Sequence, residues 1–174
     1  MKVAVQDAQL SITYSASPIV SEYHHEQFGH MRFTGGPRAG GRAPDVGPLH
    51  AKGSADGSAV RLYDLLRGVH HTLMLFGGPA PKAENWQYLN GIVQTLHKHQ
   101  AETMKMYIIV DGASAPNELV GDHSVLLDTE GAAHHRYQAD LPTLYLIRPD
   151  GYIGFRSRPA DQTALTAYLT KIFK

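Results

Sequence analysis

The chain has 174 residues, of which 43% are apolar and 18% are charged, enough to enclose the core of one domain. Its 16 Lys and Arg residues balance 16 Asp and Glu residues, and this formal net charge of +0 argues against partners bound by charge alone, such as nucleic acids or anionic membranes. The count of cysteine is 0, which excludes disulfides, thiolate zinc sites and thiol catalysis by this chain.

The N-terminal stretch is rich in turn-forming residues. Glycine and proline are dense between Gly35 and Asp45, where regular structure is not expected. We therefore predict an arm over residues 1–40 and a domain over residues 41–174, with a mobile tail as the alternative to an arm that lies on the domain. No run approaches the roughly 20 apolar residues that span a bilayer, and the start turns polar by Asp7, which together predict a cytoplasmic protein without membrane contact.

The middle of the chain alternates helical and strand patterns. Residues 58–66 combine a capping serine with leucines at helical spacing, which predicts a short helix. The apolar run 70–76 ends at a glycine- and proline-rich loop and is typical of a buried central strand. Residues 82–102 have one apolar face and predict a long helix, followed by a second buried strand over 104–110. Because such crossovers are right-handed, the two strands should lie parallel in one sheet.

The last third of the chain predicts a hairpin between two helices. A short apolar stretch over 124–127 precedes a brief helix over 132–137. Two strands, 143–147 and 152–156, flank a turn in which Pro149 presets one backbone dihedral and Gly151 accepts a positive φ. A final amphipathic helix is predicted over 162–173.

This order of elements resembles that of a thioredoxin-like domain, an α/β fold with a central mixed sheet flanked by helices, here with an extended N-terminal arm. Pro142 looks like the proline that such folds place, usually as a cis peptide, before this strand; an ordinary trans proline is the alternative. Gly77 and Ala80 stand where redox-active thioredoxins carry thiols. The resemblance therefore implies the fold without redox cysteines, and without thioredoxin, disulfide-isomerase or thiol-peroxidase activity.

Three segments resemble a narrower family: GGRAPDV (residues 40–46), LYDLLRGVHHTLMLFGG (62–78) and LIRPDGYIGFRS (146–157). In the same order, they are similar to the C-terminal thioredoxin-like domain of flavin-dependent aromatic-ring hydroxylases, the phenol-hydroxylase-like FAD monooxygenases. TYSASPIVSE (13–22) resembles the join before that domain. The FAD-binding Gly-x-Gly-x-x-Gly unit of those enzymes is missing from this sequence, and the glycines of residues 35–41 are predicted to form a plain loop because Pro37 removes a donor.

The family resemblance implies a non-catalytic domain that acts by homodimerisation or by association with a flavoprotein. It implies no cofactor in this chain and FAD only on a possible partner. Two alternatives remain open: a component of a split FAD-dependent aromatic-ring monooxygenase, and a binder of small aromatic ligands. The ligand binder would use the cleft that a thioredoxin-like fold forms between the loop after its central strand and the proline, here Gly77, Gly78, Pro79, Ala80 and Pro142.

No motif in the sequence predicts catalytic or metal-binding residues. The 11 histidines include adjacent pairs such as His134-His135, but neighbouring side chains diverge, so hydrogen-bonded or solvated histidines are expected. Trp86 and Tyr88 fit a partner surface, and core packing is the alternative for Trp86. Six residues are predicted to have structural roles. They connect the domain to the segment that enters it or close the hairpin turn: Arg42, Pro44, Asp45, Arg148, Asp150 and Gly151.

Overall fold

The computed structural model describes residues 12–24, 35–53, 58–119 and 124–173. The strands in these ranges are β1 (Ser21–His24), β2 (Leu49–Ala51), β3 (Ala59–Val60), β4 (His71–Phe76), β5 (Met104–Asp111), β6 (Ser124–Asp128), β7 (Thr143–Ile147) and β8 (Ile153–Arg158). The helices are α1 (Leu62–Leu65), α2 (Ala83–Gln100), α3 (Ala132–Tyr137) and α4 (Gln162–Ile172).

The strands form one mixed sheet in the order β1-β8-β7-β4-β5-β6-β2-β3. Strands β4, β5 and β6 run parallel, and β7 is antiparallel to both β4 and β8. The predicted crossover from β4 through α2 to β5 is confirmed, and β4 lies near the middle of the sheet. The predicted hairpin of β7 and β8 is also confirmed, with a register irregularity between Leu146 and Ile147.

Apolar side chains cover both faces of the sheet. On one face, α2 and α4 pack onto the central strands, and the apolar stripe of α2 is buried as its spacing predicted. On the other face, α3 packs together with Ala43, Val46 and Leu49 from the segment that leads into β2. The sheet is therefore enclosed on both sides, and its strands are apolar along most of their length.

The segment predicted as one helix over 58–66 divides into a strand and a shorter helix. Residues 59 and 60 form β3, which pairs with β2, so Ser58 does not cap a helix. Helix α1 begins at Leu62, whose backbone N–H donates to Val46 O over 2.8 Å. The Asp64 carboxylate accepts from the N–H of Arg61 at 3.2 Å. The cap is thus supplied from inside the helix, by its acidic third residue.

The N-terminal segment contributes an edge strand that the sequence analysis did not predict. Strand β1 has the polar sequence SEYH, without the apolar alternation that marks a half-buried strand, yet it pairs in parallel with β8. Its backbone partners on β8 define it, because an edge strand needs only one neighbour. The division into an arm and a domain stays a prediction, and part of that arm lies in the same sheet as the domain.

Of the two alternatives for Pro142, the structure has the ordinary trans peptide. Among the described residues the cis bonds are Gly47–Pro48 and Arg158–Pro159, whereas Leu141–Pro142 is trans. The Pro142 carbonyl accepts from the N–H of Ala160 at 2.7 Å, which continues the β7–β8 pairing by one step beyond the strands. A trans proline at the start of a strand is compatible with that pairing because its missing N–H is not required. A membrane-crossing helix is not found among the described residues.

Candidate functional site

The loop after β4 and the start of β7 enclose a cleft of about 370 Å³. The structure brings together in it the five residues that the sequence analysis grouped: Gly77, Gly78, Pro79, Ala80 and Pro142. Charged side chains, among them Lys82 and Asp140, line its outer part, and Leu141 beside Pro142 is 44% exposed. What binds in this cleft stays a prediction.

Trp86 fills the space beneath the first residue of this loop. The indole is 5% exposed and belongs to the core between the sheet and α2, so Trp86 is a core residue rather than part of a partner surface. A Cβ built on Gly77 would lie 2.1 Å from Cη2 of this ring. Position 77 therefore accepts no side chain unless Trp86 moves. Tyr88, in contrast, is 43% exposed, and its Oη accepts from the N–H of Gln162 at 3.0 Å.

A buried Asp–His pair lies at the carboxyl end of β6. Asp128 Oδ2 accepts from the backbone N–H of His134 at 2.9 Å and from His134 Nδ1 at 2.8 Å. Neither side chain reaches the surface to any extent, and the imidazole packs edge-on against Phe76. This contact assigns the proton to Nδ1. His134 is thus hydrogen-bonded, one of the two environments expected for the histidines, but its partner Asp128 was not predicted because only the fold returns this histidine to the strand end.

The hydrogen bonds at this pair determine how Asp128 titrates. Burial raises the pKa of the carboxyl group, but the bonds from His134 and from the N–H of Ala133 outweigh it and leave the pKa below its ordinary value of 3.8. The ionised form is therefore favoured by folding. It contributes stability at pH values above about 4, and this contribution is lost as the pH falls through the lowered pKa of the folded state.

The variant Asp128→Asn is expected to lose about 2 kcal/mol of unfolding free energy at pH 7, because a neutral amide is a weaker acceptor for both donors of His134. Its stability should also depend less on pH below about 5 than that of the parent protein. Urea unfolding at a series of pH values measures both effects. The matched control is Asp111→Asn, an exposed position opposite Asp128 on β5, which should change stability by less than about 0.5 kcal/mol. Parallel pH profiles for the parent and Asp128→Asn would contradict the assignment.

Arg156 on β8 is buried, with 1% of its side chain exposed, and fastens the N-terminal segments to the sheet. Its guanidinium donates to Glu22 Oε2 at 2.9 Å and to the carbonyls of Gly35 and Pro37 at 3.2 and 2.9 Å. Glu22 in turn accepts from the N–H of Ala39 at 2.8 Å through Oε1. Sequence patterns do not identify this residue, because an arginine in a strand pattern is expected on the solvent side and its partners lie more than 100 residues away.

The residues predicted to have structural roles are placed in two groups. Arg42 and Asp45 do not bond to each other: Arg42 Nε donates to Tyr63 Oη at 3.3 Å, and Asp45 pairs with Arg61 at 2.7 Å. Asp45 also accepts from the N–H of Tyr63 at 3.1 Å, so hydrogen bonds connect the segment before β2 to α1. The carbonyl of Pro44 accepts from the hydroxyl of Tyr137 at 2.9 Å.

At the hairpin turn, the guanidinium of Arg148 is ion-paired with the carboxylate of Asp150. Asp150 also accepts from the N–H of Tyr152 at 3.2 Å. Gly151 has a φ of 81°, in the left-handed region that the turn requires and that glycine adopts without strain. These contacts close the turn and fix the register in which β8 leaves it.

The described residues offer no metal site, and the glycine loop among them lacks the geometry of a dinucleotide cradle. No group of three or more His, Asp or Glu residues there is placed to hold a metal ion. The glycine loop of residues 35–41 leads to an isolated bridge between Arg42 and Tyr152 and then to β2. A pyrophosphate cradle needs a helix N-terminus directly after the glycines, so this loop does not fit the pyrophosphate of FAD.

Comparison with solved structures places this fold among thioredoxin-like proteins. Peroxiredoxin Q of Xanthomonas campestris aligns with a TM-score of 0.58 and 14% identity, over 73% of this chain and 92% of that chain. A thiol-disulfide oxidoreductase of Bacteroides fragilis aligns with a TM-score of 0.57 and 19% identity, over 76% of this chain and 99% of that chain. A thiol peroxidase of Chromobacterium violaceum gives a TM-score of 0.58 at 13% identity, over 80% and 90% of the two chains.

At these identities the structural matches show the fold alone, and comparison with curated protein sequences gives no match. The family comparison is more specific. The model of the aromatic-ring hydroxylase C-terminal family matches residues 36–174, which include β2 to β8 and the helices between and after them. With its thioredoxin-like sheet, its cysteine-free loop and this match over most of its length, the chain belongs to the aromatic-ring hydroxylase C-terminal family.

Proposed function

We propose that this chain is a non-catalytic thioredoxin-like module of the cytoplasm that acts by associating with a flavoprotein of the aromatic-ring hydroxylase type. The observation that carries the proposal is the family match over residues 36–174. In this proposal the flavin belongs to the partner, because the glycine loop of this chain does not lead into a helix. The module then contributes surface and not chemistry.

The chemistry of the cleft supports a role without catalysis. Residues 77–81 of its loop carry no ionisable side chain and no nucleophile. Two polar groups on its rim have structural partners: Asn85 accepts from the N–H of Lys82 at 2.9 Å, and Asp140 pairs with Arg158 at 2.8 Å. Catalysis by acid–base or nucleophilic groups needs a group directed at the substrate, and these side chains are directed at the protein.

Exposed apolar side chains at the same end of the molecule support association. Leu141 is 44% exposed beside the cleft, and Tyr88 is 43% exposed where it meets the start of α4. Ala160, two residues before Gln162, bonds to the carbonyl of Pro142, so α4 starts next to the cleft. Tyrosine and other large apolar residues at the centre of a contact supply most of its binding energy.

Homodimerisation is the second route, and a different surface favours it. Four large apolar residues of the N-terminal segment that carries the edge strand β1 are each 36–44% exposed: Ile12, Tyr14, Ile19 and Tyr23. An edge strand flanked by such side chains is suited to pairing with another chain. Light scattering during size-exclusion chromatography, with absorbance followed in the visible flavin band, separates these routes. A colourless dimer supports self-association, and a yellow peak from this chain alone contradicts both.

The substitution Leu141→Glu is expected to weaken association with a flavoprotein by about tenfold or more, because it puts a charge at the centre of an apolar contact. The probe is a flavin-containing aromatic-ring hydroxylase body that lacks this domain, and the measurement is co-elution of the yellow flavoprotein with the chain. Val69→Glu is the matched control, because Val69 is 95% exposed and precedes β4 at the end of the strand opposite to the cleft. Equal weakening by both variants would contradict the proposed surface.

The cleft also supports a second candidate, the binding of a small aromatic ligand, because its Pro79, Pro142 and half-exposed Leu141 offer an apolar lining. Phenol would be the first probe, and binding raises the melting temperature as the ligand concentration exceeds Kd. Shifts of the Gly77 and Gly78 amide signals would place the ligand in this cleft. If simple phenols do not raise the melting temperature, ligand binding is contradicted and association remains the proposed function of this end of the molecule.

A further inference from the structure

A second cavity, of about 540 Å³, lies between residues 35–44 and the end of α3. It is lined by residues 35–37, by Arg42 and Pro44, and by His135, Arg136 and Gln138 of α3 and its C-terminal cap. It has the size of cavities that bind small molecules, which range from about 300 to 1,000 Å³. None of the described residues that line it is acidic.

Buried hydrogen bonds fix the walls of this cavity. Arg156 of β8 donates to the carbonyls of Gly35 and Pro37 and so holds residues 35–37 against the sheet. The hydroxyl of the buried Tyr137 donates to the carbonyl of Pro44 at 2.9 Å and so connects Pro44 to α3. The Tyr145 hydroxyl donates to the Tyr137 carbonyl at 2.7 Å and so links β7 to α3. A cavity with walls fixed in this way loses little conformational entropy when a ligand enters.

The positive charges at this cavity are not neutralised within the described part of the chain. Arg42 contacts Tyr63, through Nε at 3.3 Å from the hydroxyl and with its guanidinium carbon 5.8 Å from the ring centre, and forms no ion pair there. Arg136 is exposed on the last turn of α3 and has no ion pair in the same ranges. The nearby carboxylate of Asp45 is already paired with Arg61.

We propose that this cavity binds a small organic anion whose phosphate or carboxylate group lies between Arg42 and Arg136. Guanidinium groups present paired N–H donors that match both kinds of oxyanion, and the imidazole of His135 is a further donor on the same wall. The volume exceeds what a lone inorganic ion fills, which favours an anion that carries an organic part.

In this site the glycines shape the wall rather than bind the anion. Pro37 lacks an N–H, and the carbonyls of Gly35 and Pro37 are directed at Arg156. A Cβ on Gly36 would lie 2.8 Å from both the Tyr137 carbonyl and the Tyr145 hydroxyl. A glycine at this position therefore allows the loop to pack closely against these two tyrosines. The side chains of the two arginines, and not backbone amides, are therefore the groups that recognise the ligand.

The test is titration calorimetry of the full chain at low ionic strength with three separate probes: AMP, benzoate and inorganic phosphate. We expect binding of AMP or benzoate, and a loss of affinity of about tenfold or more in each of Arg42→Gln and Arg136→Gln, because each removes a charge-assisted contact. Both arginines are exposed, so neither variant should unfold the protein. Arg67→Gln is the matched control, as Arg67 is 81% exposed and does not line the cavity.

Amide chemical shifts provide the second measurement. Binding in this cavity should move the signals of Gly35, Gly36 and Gln138 and leave those of Gly77 and Gly78 in place. This pattern distinguishes the cavity from the cleft. A failure of the anion proposal is therefore distinguishable from a failure of the proposed function. AMP binding identifies a phosphate ester as the ligand class and benzoate binding a carboxylate, and both support the proposal. Binding of inorganic phosphate alone, binding of no probe, or equal losses in Arg67→Gln and Arg136→Gln would each overturn it.

Discussion

Replacing Gly77 by alanine is expected to lower the free energy of unfolding by about 2–3 kcal/mol, because the new Cβ would lie 2.1 Å from the Trp86 ring. The indole is 5% exposed and packed in the core, so any movement of the ring disturbs its neighbours there. Relief of the clash therefore requires a change in the core or a shift of the loop. Urea unfolding followed by the fluorescence of Trp86, the 1 tryptophan of the chain, measures the loss directly.

The chain offers a matched control for this substitution. A Cβ on Gly91, within α2, meets nothing within 4 Å, so Gly91→Ala should stabilise the protein by about 0.5–1 kcal/mol through helix propensity. The same Gly77→Ala change made in a Trp86→Leu background should lose most of its cost, which circular dichroism can follow. A double-mutant cycle with a coupling below about 0.5 kcal/mol would show that the indole is not the cause.

The second large effect is expected at Arg156. Arg156→Met should destabilise the protein by about 3 kcal/mol, because it leaves the carbonyls of Gly35 and Pro37 and the carboxylate of Glu22 without their donor. The value lies at the low end for a broken buried pair, since the side chain of Glu22 is 31% exposed and water reaches it. Urea unfolding gives the free energy, and hydrogen exchange of the Tyr14 and Gly40 amides reports whether the N-terminal segments open locally.

Two further variants separate the charge of this arginine from its backbone contacts. Glu22→Gln keeps an acceptor for Ala39 and removes only the charge, so it should cost about 1 kcal/mol or less. Arg67→Met removes an exposed arginine that is paired with Asp64 and should change stability by less than about 0.5 kcal/mol. If Arg156→Met were no more destabilising than Arg67→Met, the guanidinium would not hold the segments together.

The sequence predicts the central part of this fold and misses its edges, for a physical reason. The strands β4, β5 and β7 and the helices α2 and α4 bury continuous apolar surface, and burial leaves a periodic pattern in the sequence. Strand β1 is polar, and β3 has only two residues, so their backbone partners alone define them. Local patterns carry no information on such partners.

The same distinction applies to the candidate sites. The cleft was predictable because its two loops follow recognisable strands, and the resemblance to thioredoxin-like domains brings those loops together. The cavity beside Arg42 and Arg136 was not, since the two arginines are 94 positions apart and nothing in either local sequence links them. Arg156 was missed for the same reason. The trans peptide at Pro142 shows that a resemblance in sequence did not determine the geometry of that bond.

The pairing of β1 with β8 bears on where this domain can be cut. The family match begins at residue 36, beyond β1 and Glu22. A polypeptide shortened to the matched range would present β8 as an open edge, with an unsatisfied ladder of N–H and C=O groups and a guanidinium that has lost its carboxylate partner. Open edges of this kind pair with one another and aggregate. Self-association of such a fragment would report the missing strand, and only the chain that retains residues 12–24 can report on a native interface.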